Sequence, residues 1–118
     1  MKFFLLFYTF CFPILFADII FFNNEDRLSG EIWKESSQNI LLISEIGNYK
    51  INRKLIKKID YSGKTKYRMG LVGGNSLIIV PILSEPNNLE YYEVNEDSTF
   101  GNKKWMSWSK IIYLRILK

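Results

Sequence analysis

Short apolar segments separated by polar turns predict an all-β protein beyond residue 17. Isoleucine, phenylalanine, tyrosine and tryptophan, which suit half-buried strands, are abundant in the 118-residue chain. Turn signals recur at short intervals: Asn23-Asn24-Glu25-Asp26, Glu35–Asn39 and Gly47-Asn48. No stretch sustains the 3.6-residue apolar period of a long helix.

Asp18–Phe22 reads as a first strand. Arg27–Lys34 alternates, with Leu28, Gly30 and Ile32 on one face and Arg27, Ser29 and Glu31 on the other. Ile40–Ile46 forms a third strand with apolar residues on both faces, and Tyr49–Ile51 a fourth. Leu55, Ile56 and Ile59 are spaced as a single helical turn leading into a last short strand. These elements make a module over 18–62. Polar, basic and glycine-bracketed, residues 63–70 read as a connector to a second β module over 71–118. There Leu77–Leu83 is a strand whose Pro81 predicts an edge or a strand end. Glu90–Asn95 follows, and Lys103–Leu117 closes the chain.

The second half echoes the first. Gly101-Asn102 matches Gly47-Asn48, and Met106, Ile111 and Leu114 repeat the spacing of Ile51, Ile56 and Ile59. Charge follows the same order, acidic over 18–45 and 85–97, basic over 46–68 and 103–118. Either a degenerate tandem duplication or a biased composition produces such a pattern. Opposite charge blocks predict complementary faces within the chain or between copies.

Residues 1–17 read as a secretory signal peptide. Lys2 precedes the apolar run Phe3–Phe16, interrupted only by Thr9 among polar residues. The run suits a signal core and falls short of the roughly 20 residues that span a bilayer. Pro13 breaks the helix, and Ala17 supplies a small residue before cleavage at Ala17-Asp18. Leu15 is larger than that site usually takes, so retention as a membrane tether is the competing outcome. Tyr8-Thr9-Phe10 ahead of Cys11 lacks the small residues of a lipidation site.

Cleavage removes the single cysteine, and the chain contains no histidine. The remainder then has no thiol, disulfide or imidazole, which excludes Ser-His-Asp and Cys-His catalysis and His- or Cys-ligated zinc. No cofactor and no metal is expected. The acidic residues Glu85, Glu90, Glu93, Glu96 and Asp97 lack the spacing of a calcium loop, and Gly70–Gly74 is followed by no Gly-Lys-Ser/Thr.

The stretch Asp18 to Ile32, DIIFFNNEDRLSGEI, resembles the opening of a small SH3-like/Sm-like β-barrel module of exported bacterial proteins, some of which precede an outer-membrane barrel. That family reads D-x-hydrophobic-x-L-x-N-G-D-x-L-x-G-x-I. Ile40–Ile43, Gly47 with Tyr49 and Ile51, and Ile56 with Ile59 continue the match, which covers 18–61. Glu25 stands where the family prefers glycine. The resemblance implies a small barrel, with Asn24 and Asp26 shaping a turn and Gly30 permitting a bend. It implies no active site.

Two surface clusters stand out. Lys50, Arg53, Lys54, Lys57 and Lys58 head a basic run continuing through Lys64, Lys66 and Arg68, a candidate site for an anionic polymer or membrane surface. Trp105, Trp108 and Tyr113 with Lys103 and Lys104 form an aromatic-basic candidate for partner binding. The expectation is an exported, non-catalytic envelope protein that binds an envelope protein or surface component, rather than nucleic acid. Membrane-surface association and a carboxylate-dependent hydrolase are the alternatives. Oligomeric state is left open.

Overall fold

The computed structural model describes residues 17–117, so residues 1–16 of the segment read as a signal peptide lie outside the described residues. The fold is all-β, as the sequence predicts. Its strands are β1 (Asp18–Phe22), β2 (Arg27–Glu35), β3 (Asn39–Ser44), β4 (Gly47–Asn52), β5 (Ile56–Asp60), β6 (Tyr67–Leu71), β7 (Ser76–Ser84), β8 (Asn88–Val94), β9 (Phe100–Ser107) and β10 (Ile111–Ile116). A single 3-10 turn precedes each half's last strand, Arg53–Leu55 before β5 and Trp108–Lys110 before β10. Each is capped by the preceding residue: the Asn52 side chain accepts from Lys54 N–H, and Ser107 from Ser109 N–H.

The halves use one pairing scheme. β1 lies between β2 and β5, β2 carries β3, and β3 carries β4. In the same way β6 lies between β7 and β10, with β8 and then β9 beyond β7. Turn hydrogen bonds repeat as well. Phe22 N–H to Asp26 O at 2.9 Å corresponds to Leu71 N–H to Asn75 O at 2.8 Å, and Arg53 N–H to Gln38 O corresponds to Trp108 N–H to Asn87 O, both 2.9 Å. Bulges fall at matching places too, between Ile32 and Lys34 and between Pro81 and Leu83.

Neither half closes alone. The end of β2 pairs with β10, Leu114 opposite Glu35, and the end of β7 pairs with β5, Ile59 opposite Ser84. The cycle β1-β5-β7-β6-β10-β2 is therefore one closed six-strand antiparallel barrel to which both halves contribute. β3–β4 and β8–β9 extend from it as two wings. One core fills it, with Ile20, Ile32, Ile40, Leu42, Ile59, Met69, Ile79, Leu89 and Leu114 fully buried.

Three local expectations need correction. The connector read over 63–70 is shorter, because Tyr67–Leu71 is a barrel strand and Tyr67 is fully buried. The lysines and arginine interleaved with Tyr67 and Met69 disguised it, since they face outward. Glu35, read as the start of a turn, ends β2 and is completely buried. Pro81 lies inside β7, which has strands on both sides, rather than at an edge.

The last case has a physical explanation. Each long strand leaves one barrel neighbour before reaching the next, so its ladder is interrupted there. At this interruption in β2, Ile32 N–H finds the Asp18 side chain at 3.0 Å. Pro81 occupies the corresponding place in β7 and has no N–H to satisfy. A proline is tolerated where the ladder already has a gap.

Candidate functional site

The buried polar groups gather where the halves meet. Glu35 enters the barrel because the bulge after Ile32 resets the alternation of β2. Its carboxylate accepts from the Arg53 guanidinium and from the Tyr61 hydroxyl. Arg53 also donates to Ser84 Oγ at 2.6 Å, and Trp108 Nε1–H donates to the same oxygen at 3.0 Å. The guanidinium lies over the Trp108 ring, 4.0 Å from its centroid. Glu35 and Ser84 end β2 and β7, while Arg53 and Trp108 open the two 3-10 turns, so equivalent positions of the halves meet here with different chemistry.

A second cluster is centred on Asp18. Besides Ile32 N–H, its carboxylate accepts Ser62 N–H at 2.9 Å, while Tyr67 donates to Ile32 O at 2.6 Å. Burial pushes the Asp18 carboxyl above its ordinary value, opposed by the two backbone donors. Burial likewise raises Glu35, against the attraction of Arg53, and raises the Tyr61 and Tyr67 hydroxyls. Among the described residues no buried side-chain polar atom is without a partner. Both carboxylates are enclosed and hydrogen-bonded within the barrel, an arrangement suited to closing it rather than to reaching a substrate.

The aromatic-basic candidate is divided by the fold. Trp105 is 61% exposed on β9, whereas Trp108 is 4% exposed and built into the seam. The half-buried Tyr113 sits on β10 against Gly70, where a Cβ would overlap its ring, and the Arg115 guanidinium lies over that ring, 5.4 Å from its centroid. Lys103 pairs with Glu90 at 2.9 Å and Lys104 with Glu93 at 3.1 Å. On the outer hairpin Trp105 stays exposed, as does Phe100, which stacks on Tyr92 at 5.9 Å.

The basic candidate is dispersed too. Arg53 is committed to Glu35, Lys57 pairs with Glu25 at 3.4 Å, and Lys58 lies 3.9 Å from Asp60 and over Phe21. Lys54 is exposed on the 3-10 turn, and Lys50 faces out from β4. Ala17 and Asp18 stand at the start of the described chain, with Asp18 buried.

The seam residues Glu35, Tyr61, Ser84 and Trp108 were not visible as a group in sequence. Their one local signal is a charged residue directly after Trp33-Lys34, where a bulge turns it inward. Among the described residues, the outer edges of β4 and β9 have no strand partner. Compared with known proteins, the chain matches no protein-family model, no curated protein and no solved structure.

Proposed function

We propose that this chain is an exported cell-envelope protein acting as a non-catalytic binding module, which takes a protein partner on its open sheet edges. One observation carries the reading. The barrel uses its buried polar groups internally and projects two wings whose last strands, β4 and β9, keep unpaired edges among the described residues. Such an edge offers backbone donors and acceptors to an extended partner segment. β9 adds the exposed Trp105 and Phe100, large rigid groups of the kind that anchor protein contacts.

Export rests on the apolar run before Asp18 and on the resemblance to exported barrel modules. Both parts are testable in cells. Fractionation followed by N-terminal sequencing is expected to find a chain beginning at Asp18 in the envelope, and a cytoplasmic chain retaining Met1 would reject export. A photo-crosslinking residue at Trp105 is expected to give a reproducible protein adduct. The same residue at Val72, an exposed turn position, is expected to give none. Equal labelling from both positions would count against β9 as the docking edge.

A further inference from the structure

The strand register assembles a row of cations that the linear sequence scatters. Arg68 on β6 stands opposite Arg115 on β10, and Arg115 stands opposite Lys34 on β2. Lys34 is opposite Leu41 on β3, and Leu41 is opposite Lys50 on β4. Cross-strand partners share a face, so these residues cross the outside of five adjacent strands in one line. At about 4.8 Å per strand the line is roughly 19 Å long. All of its members are exposed.

Like charges directly opposite one another destabilise a sheet. Arg115 faces one on each side. Among the described residues, none of the four cations joins an ion pair; those are made by Arg53, Lys57, Lys58, Lys103 and Lys104. Arg68 reaches Ser76 Oγ at 3.4 Å, and Arg115 lies over Tyr113. Glu31, further along β2 on this side, accepts from Trp33 Nε1–H.

The fold itself does not impose the row. Its counterpart in the other half runs Ile19, Asp60, Leu83, Glu90 and Trp105, on β1, β5, β7, β8 and β9. There the two acidic groups are matched by Lys58 and Lys103. The same backbone therefore carries a neutralised row on one side and, on the other, a cationic row that joins no ion pair among the described residues. Beside the latter, an open groove of about 310 Å³ is lined by Lys34, Ser36, Asn39, Ile40, Leu41 and Lys50.

We propose that this row is a binding site for a linear polyanion bearing phosphate groups, laid across the strands from Arg68 to Lys50. The narrow, straight spacing of the charges suits a chain better than a membrane plane, and the two guanidinium forks suit phosphate oxygens. Multivalency makes the polymer, rather than a single phosphate, the ligand. The site is separate from the β9 edge, and the two stand or fall independently.

Long-chain inorganic polyphosphate is the probe, with fluorescence anisotropy of the labelled polymer as the readout. The chain from Asp18 is expected to bind it, and inorganic phosphate at equal phosphate concentration is expected not to compete. Arg115→Glu and Lys34→Glu should each weaken binding by roughly tenfold and reduce the slope of log affinity against log salt by about one per lost contact. Lys57→Glu, with the same change in net charge outside the row, should weaken it by less than about twofold. Arg115→Glu should also leave the melting temperature unchanged or raised, since it relieves two like-charge pairs. Equal weakening by Lys57→Glu would reduce the effect to net charge and overturn the proposal. Binding to phosphatidylglycerol vesicles without binding to polyphosphate would overturn it in favour of a membrane surface.

Discussion

At the scale of single residues, the two buried carboxylates make opposite demands on sequence reading. Asp18 opens the motif that suggested a barrel, and its function in the fold is to accept Ile32 and Ser62 N–H groups at a gap in the ladder. Asp18→Ala leaves those donors unpaired and is expected to cost roughly 1–3 kcal/mol in urea unfolding. Glu35 gave no such signal. Burial holds its folded-state carboxyl above the ordinary value of 4.5, so protonation favours the folded state. Its contribution is thus present below the unfolded value and lost as pH rises through the folded one. Relative to Glu35→Gln, the wild-type chain is expected to gain stability as pH falls through the raised folded-state value toward the ordinary 4.5. Parallel pH profiles for the two proteins would contradict this.

At the scale of elements, the first turn shows how the fold overrides a local preference. Glu25 adopts φ 75°, and Gly74 at the matching place in the second half adopts φ 97°. A non-glycine residue in this left-handed conformation costs roughly 1–2 kcal/mol. Asn24 helps hold the turn by accepting Asp26 N–H at 3.0 Å and donating to the Asp26 carboxylate. Glu25→Gly removes the steric cost and adds chain entropy in the unfolded state, for a net expected gain of about 0.5–1 kcal/mol by chemical denaturation. The bulge in β2 is the more consequential irregularity. It sends Trp33 and Lys34 outward and Glu35 inward, and without it the acid would not meet Arg53.

At the scale of the whole molecule, closure of one barrel by two half-chains makes their stabilities inseparable. β10 completes the first half's strand order and β5 completes the second's. Unfolding is therefore expected to be a single transition. Trp33 in the first half and Trp105 in the second, followed separately through Trp→Phe variants, should report the same midpoint. Leu114→Ala, at the fully buried centre of β10, should lower that common midpoint, at a cost of about 2–5 kcal/mol. Two resolved transitions would show that the halves fold as separate domains.

The sequence by itself determined the fold class and most strand positions, and it offered the parallel order of the two halves as one of two readings. Those features depend on alternation, turn chemistry and short-range spacing, all of which are local. It also determined which side chains are absent from any chemistry beyond residue 17. The helical turn it placed on Leu55, Ile56 and Ile59 is instead a 3-10 turn at Arg53–Leu55 followed by β5. Only the tertiary structure decided that both halves close one barrel, that Tyr67–Leu71 is a strand, and that Arg53 and Trp108 leave their surface clusters for the seam. Register decided the rest. A pairing between distant strands brings Arg68, Arg115, Lys34 and Lys50 into line, and no one-dimensional spacing encodes which strands become neighbours.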